Sequence, residues 1–312
     1  MKFCYKFLTD INFEPSCIQP CCNVHGIIVP QFEFHGGAVN MKDYTKFIEE
    51  CLENIQSGSS ICKGCPELYD IDESKLLGKI ISTKFNAVSF NMHRYLCNCR
   101  CTYCDLWKKN QVGYKILPAL KSLQDQSVLQ DDCFFSWGGG EPTIQPDFED
   151  TSLYIASISK QQYIHTNAIK FSPNISHLLS ENYAKINISL DSSSPKTYKA
   201  VKGVDAYNKV INNIIEYRKK SSDTAIELKY IIFDMNNSIS EIESFLVFAS
   251  RTLQIKNVQF SFDFREVNKK AISYTSLLAA AFFIKRAKDL NLNPIPFFVN
   301  LDILKKIIKI QL

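Results

Sequence analysis

The sequence predicts an α/β fold: parallel strands with intervening helices, arranged as an open or partial barrel and preceded by a small cysteine-rich domain. Three observations carry this prediction. From about Ala87 onward, strand-like and helix-like segments alternate. The strands pair one apolar face with one polar face. All 12 cysteines fall at or before Cys133, so the C-terminal half holds none.

The first part of the chain, 1–82, has short segments, a glycine pair at Gly36 and Gly37, and no clear periodicity. It is expected to form the cysteine-rich domain, with 83–312 as the core. The core strands are expected at AVSFN (87–91), CFFSW (133–137), QYIHT (162–166), KINISL (185–190), IELKYIIF (226–233) and NVQFSFDF (257–264). Helical patterns separate them: LPALKSLQDQ, DTSLYIASIS, SPNISHLLSENY, a long stretch over 194–220, and SISEIESFLVFASRTL; YTSLLAAAFFIKRAKDL follows the last strand. Alternation of this kind implies parallel strands joined by helical crossovers. Ser172-Pro173 and Ser194-Pro195 read as helix starts, because serine caps and proline suits the first turn.

A parallel sheet buried by helices on both faces is apolar on both. Here Ile186, Ile188 and Leu190 alternate with Asn187, Ser189 and Asp191, and Phe260, Phe262 and Phe264 with Gln259, Ser261, Asp263 and Arg265. Helices covering the apolar face would leave the polar faces converging on a common interior. A closed eight-stranded barrel packs its interior with branched aliphatics. A polar interior suits an open barrel with a ligand inside.

The net charge is +4 and the lysines are dispersed. No Lys/Arg run is interleaved with aromatics, so no nucleic-acid surface is expected. No apolar run reaches the roughly 18 residues of a membrane helix, and the opening residues lack the pattern of a secretory signal. A cytoplasmic protein is expected. In a reducing compartment, clustered cysteines read as metal ligands or redox centres rather than disulfides.

The densest cluster is CNCRCTYC, 97–104. Zinc commonly takes four ligands from two separated pairs. An iron–sulfur cluster held by three cysteines leaves one iron open for an outside ligand. Cys97, Cys101 and Cys104 provide a three-ligand spacing, with Cys99 spare.

That spacing, directly after the first core strand, resembles the radical S-adenosylmethionine (radical SAM) superfamily, and Tyr103 matches the aromatic before its third cysteine. The companions follow in order at strand ends. WGGGEPT (137–143) is similar to the family's glycine-rich Glu-Pro motif, HTNA (165–168) to a Thr-Asn-Gly element, and ISLDSSSP to a Ser-x-Asp element. The resemblance spans roughly 87–300 and implies a partial (β/α)6 TIM-like barrel. It implies a [4Fe–4S] cluster on Cys97, Cys101 and Cys104, and S-adenosylmethionine contacted by Tyr103, Gly139, Gly140, Glu141, Asn167, Ser189 and Asp191. The cluster would cleave the cofactor reductively, giving a 5′-deoxyadenosyl radical that abstracts hydrogen from substrate. A low-potential donor such as flavodoxin or ferredoxin would supply the electron.

The early cysteines are loosely similar to the auxiliary-cluster (SPASM or twitch) regions of the same superfamily, although those normally follow the barrel. Cys17, Cys21, Cys62 and Cys65 are the expected ligands of a second iron–sulfur cluster, with Cys22 able to replace Cys21, His25 close enough to serve, and zinc as the rival metal. Cys4, Cys51 and Cys133 read as small buried residues. Lys229, Asp263 and Arg265, on inward phases of the last two strands, are candidates for substrate contact, or for pairing with one another or with the cofactor. The expected function is hydrogen abstraction from a peptide or carbohydrate-like small-molecule substrate. The alternative is a non-catalytic iron–sulfur or zinc protein on the same scaffold.

Overall fold

The computed structural model describes residues 2–21, 27–72, 84–268 and 272–310. Its strands are β1 (Lys2–Phe3), β2 (Asp10–Glu14), β3 (Cys17–Gln19), β4 (Phe32–Glu33), β5 (Tyr69–Asp70), β6 (Phe85–Phe90), β7 (Leu129–Trp137), β8 (Gln161–Thr166), β9 (Ala184–Ser189), β10 (Ile226–Ile232), β11 (Asn257–Phe262) and β12 (Asn293–Pro296). Every core strand expected from the sequence is present within a few residues. The chain forms two compact units, Met1–Leu96 with Asn110–Tyr163, and Cys97–Lys109 with Ile164–Leu312.

In the first unit, β6 runs parallel to both β2 and β7. β3 turns back antiparallel on β2, and β4 on β3. The N-terminal segment thus supplies a parallel partner to the first core strand, because Ile11 and Phe13 are as fully buried as Val88 and Phe90 beside them. The expected border at 82/83 lies outside the described residues. A helix that the sequence reading did not anticipate spans Met41–Gln56; Asn40 caps it by accepting from Lys42 N and Asp43 N. Its buried residues Tyr44, Ile48, Cys51, Leu52 and Ile55 recur at helical spacing.

In the second unit, β10 lies between β9 and β11, parallel to both, and β12 adds in parallel to β11. Ser172 and Ser194 cap the helices Pro173–Ser180 and Pro195–Lys202, accepting from Ile175 N and Thr197 N. The long helix expected over 194–220 is two helices, Pro195–Lys202 and Tyr207–Lys219. Gly203 separates them at φ +67°, the left-handed conformation that closes a helix. The polar strand faces are buried: Asn187 is wholly inaccessible, and Gln259, Ser261 and Asp263 nearly so. A solvated antiparallel face is therefore ruled out for these strands. No closed barrel of strands is found among the described residues.

Candidate cluster and cofactor site

The cysteine loop of the second unit folds around Arg100. Its guanidinium Nη1 donates to the carbonyls of Cys97 and Cys99, each at 2.8 Å. Its backbone N–H donates to Lys202 O at 2.8 Å, and Thr102 N to Val201 O at 2.9 Å. Two backbone bonds thereby fasten the loop to the last turn of Pro195–Lys202. Cys104 N closes a turn onto Cys101 O at 3.1 Å, and the Trp107 indole also reaches that carbonyl.

Tyr103 carries the loop into the interior. Its hydroxyl donates to Asp191 Oδ2 at 2.7 Å and accepts from Lys202 Nζ at 2.9 Å. Lys202 also bonds Asp191 Oδ2 directly, and both side chains are almost completely inaccessible. Asp191 Oδ1 accepts from Ile231 N at 2.7 Å, and the Asn236 amide holds the Asp191 carbonyl. Asp191 stands at the end of β9 with φ +56°, a left-handed conformation uncommon outside glycine. Both of its carboxylate oxygens have partners within the protein.

The donor set suits an iron–sulfur cluster. Cys101 is pulled down to about 6, first by the Cys99 thiol that bonds to it, against burial, with Lys202 and the Tyr103 hydroxyl adding to the pull. A thiol so placed ionises readily, as a metal ligand must. Cys99 is pushed upward by its hydrogen bonds to Cys101 and Cys97, and by burial. Burial raises Cys104. Among the described residues, no three His, Cys, Asp or Glu side chains gather tightly enough for one metal ion. A four-iron cluster asks less, because each thiolate takes a separate iron.

In the first unit, Gly139 and Gly140 follow β7 with φ of +63° and +68°. A Cβ on Gly139 would stand 2.6 Å from Arg94 Cβ, and one on Gly140 2.4 Å from Leu96 O. Both positions require glycine, and the backbone between them is left uncovered by side chains of its own. Glu141 is 1% exposed. Its N–H donates to Leu96 O at 2.8 Å, and its Oε1 accepts from Thr143 N and the Thr143 hydroxyl.

A sequence profile of the Radical SAM superfamily matches residues 92–249, half of the chain. The chain belongs to the radical SAM superfamily. Its cofactors are accordingly a [4Fe–4S] cluster and S-adenosylmethionine. Among curated relatives, this radical SAM protein is 23% identical over 170 residues to the mycofactocin maturase MftC of Mycobacterium tuberculosis, covering 53% of this chain and 43% of that one. It is 30% identical over 156 residues to the mitochondrial GTP 3′,8-cyclase of Arabidopsis thaliana, covering 45% and 37%. The chain thus spans about half or less of these relatives. Among solved structures, Streptococcus suis SuiB bound to its precursor peptide SuiA matches with a TM-score of 0.55 at 14% identity, over 83% of this chain and 63% of that one. The likeness shows a shared fold, the partial (β/α) barrel expected from the sequence.

The other expected cofactor contacts of this radical SAM protein lie in the second unit. Asn167 Nδ2 donates to Asn98 Oδ1 at 2.6 Å and approaches Cys97 Sγ at 3.9 Å. Ser189 is half-buried and stands in register with Lys229 of the neighbouring strand. Lys229 Nζ lies 4.1 Å from the centre of the Phe297 ring. Burial draws Lys229 down to about 8, Asp191 partly opposing and Lys202 assisting. His165, on the same ring, is lowered to about 4 by burial and then by the Lys229 cation. Asp263 and Arg265 form an ion pair at 2.6 Å. Arg265 does not continue the strand: β11 ends at Phe262, and Arg265 lies on the short helix Phe264–Asn268, 45% exposed in its side chain. Of the three candidates for substrate contact, Lys229 keeps a strand position, and among the described residues no carboxylate lies within hydrogen-bond distance of it.

The early cysteines divide. Burial pushes Cys62 up to about 12, and the thiols of Cys21, Cys65, Cys4 and Cys51 add to the push. Cys65 N closes the Cys62 turn at 3.0 Å, with Cys62 at φ +55° and Gly64 at φ +77°. Cys4 reaches this turn because β1 pairs antiparallel with β5, setting Phe3 opposite Tyr69. Cys17 is placed differently. It lies in β3 opposite Glu14, and the groups acting on it are Glu14, Gln19 and Arg94. Cys22 and His25 lie outside the described residues. Sequence reasoning did not bring Cys4 near the Cys62 turn or Lys202 to Tyr103, separations of 58 and 99 residues; Lys202 bonds Tyr103, and the β1–β5 pairing helps bring Cys4 near that turn.

Proposed function

We propose that this protein is an enzyme that cleaves S-adenosylmethionine reductively and uses the resulting radical to take hydrogen from a peptide substrate. The observation that carries this reading is the cysteine loop itself: three ligand positions on a backbone pinned to a buried Tyr103–Asp191–Lys202 network. When bound, the cluster and its cofactor supply the electron and the 5′-deoxyadenosyl radical. The chain's own residues do the rest. Cys97, Cys101 and Cys104 hold the cluster, Arg100 organises their carbonyls, and the Gly139–Gly140 backbone with Glu141 receives the methionyl amino group. Lys229, half-buried against the Phe297 ring, would orient substrate through an acidic group. A peptide is favoured because MftC is named a maturase and SuiB was solved with a precursor peptide.

A second metal centre is part of this reading. The placement of the thiols favours Cys4, Cys21, Cys62 and Cys65 as its ligands, with Cys4 replacing the expected Cys17. Flavodoxin or ferredoxin is the proposed donor to the first cluster.

The test begins with anaerobically reconstituted protein reduced by dithionite. It should release 5′-deoxyadenosine from S-adenosylmethionine, and a peptide substrate should raise that release and lose hydrogen by mass spectrometry. No release above that of Cys101→Ala would leave the non-catalytic alternative standing; stimulation by a sugar or nucleotide alone would replace the peptide. For the second centre, Cys4→Ser should lose metal that Cys17→Ser retains. The reverse pattern would restore Cys17.

A further inference from the structure

We infer that Lys202 sets the reduction potential of the cluster, acting on the ligand Cys101 directly by its charge and through the Tyr103 hydroxyl. This rests on the proposed placement of the cluster on Cys97, Cys101 and Cys104.

Lysine is rarely buried to the extent seen here, with 1% of the side chain exposed. A buried lysine would normally lose its proton. Here the ion pair with the equally buried Asp191 carboxylate holds it charged. Its position is fixed on every side. Nζ bonds Asp191 and the Tyr103 hydroxyl, and its carbonyl accepts Arg100 N within the cysteine loop. A fixed cation in a dry setting acts over a longer range than one in water.

Lys202 and Asp191 both stand at the Tyr103 hydroxyl, Lys202 donating to it at 2.9 Å and Asp191 accepting from it at 2.7 Å. That hydroxyl also neighbours the Cys101 side chain, so its one proton is shared between Asp191 and the sulfur, and removing Lys202 leaves the Asp191 anion unbalanced beside the ligand. Reduction adds one electron to the cluster, hence one negative charge. A nearby cation and a hydrogen bond to a ligating sulfur both favour that reduced state, and net charge and sulfur hydrogen bonds are established determinants of cluster potential. Tyr103 and Lys202 are therefore positioning residues, and Asp191 holds the two together.

The experiment is a dithionite titration of the reconstituted holoprotein with redox mediators, followed by electron paramagnetic resonance, without S-adenosylmethionine. Lys202→Met should lower the ratio of reduced to oxidised cluster at a set potential at least tenfold, about 59 mV for one electron. Tyr103→Phe, which keeps the ion pair, should shift it in the same direction by less. Asp191→Asn should shift it upward, because Lys202 is then unopposed, and Lys202→Arg should restore most of the wild-type value. An unchanged midpoint in Lys202→Met with full iron content would overturn the inference. Should that variant fail to hold its cluster, an unchanged midpoint in both Tyr103→Phe and Asp191→Asn would overturn it equally. Loss of the cluster in Cys101→Ala tests the underlying ligand assignment separately.

Discussion

Arg100 and Lys202 meet through the backbone: the N–H of Arg100 donates to the carbonyl of Lys202 at 2.8 Å. This bond ties the cysteine loop to the end of a helix nearly a hundred residues later. The helix stops there because Gly203 takes the left-handed conformation, and its N–H bonds Lys199 O. The cysteine loop uses the carbonyl positions that the ending helix leaves available.

Gly203→Ala should therefore damage the cluster site from outside it. The new Cβ would stand 2.6 Å from Arg100 O and 2.8 Å from Arg100 Cβ, at a φ of +67°. Left-handed strain contributes about 1–3 kcal/mol before any displacement of Arg100. The expected result is a lower melting temperature together with reduced iron on reconstitution. A variant with wild-type melting and iron content would show that the loop does not depend on this close approach.

The four cysteines of the loop should separate cleanly. Cys97→Ala, Cys101→Ala and Cys104→Ala should each lose the cluster. Cys99→Ala should keep it, at a stability cost of about 1 kcal/mol for a buried small group. Cys99 is 1% exposed and bonded to its neighbours' sulfurs. Iron and sulfide analysis of the four variants decides the matter, and a cluster missing from Cys99→Ala but intact in Cys101→Ala would reverse the assignment.

Lys229 should make binding of an acidic substrate depend on pH. Burial draws its pKa down to about 8 in the folded chain, against an ordinary 10.5. Below about 8 the ammonium is present and binds the anion; as pH rises through that value, affinity should fall. Stability should move the other way. Between about 8 and 10.5 the unfolded chain holds a proton that the folded chain has released, so stability rises with pH across that window. Lys229→Met should flatten both profiles. Michaelis constants and denaturant midpoints measured on either side of 8 test this, and a binding profile unchanged by Lys229→Met would exclude Lys229 as the substrate's anchor.

The sequence by itself determined the alternation of strands and helices, the one-sided polarity of the strands and the three-cysteine spacing. These are local or periodic signals: apolar residues at every second position, a serine and proline at a helix start, ligands within one short loop. The buried Asn187, Gln259 and Ser261 confirm that a polar face in a strand pattern can mark an interior. The helix Met41–Gln56 is written in the same kind of signal, with Tyr44, Ile48, Cys51, Leu52 and Ile55 at helical spacing. Only the tertiary structure decided the rest. It brought Cys4 near the Cys62 turn through β1 and β5, and put Cys17 opposite Glu14. It paired Asp263 with Arg265 while leaving Lys229 against an aromatic ring. It also placed Lys202 against Tyr103, so that an ordinary lysine near a helix end became a buried charge beside the cysteine loop. Charge acts through space and burial rather than along the chain. Which lysine is solvated and which is held dry beside a thiol depends on contacts between distant segments, and no local pattern encodes them.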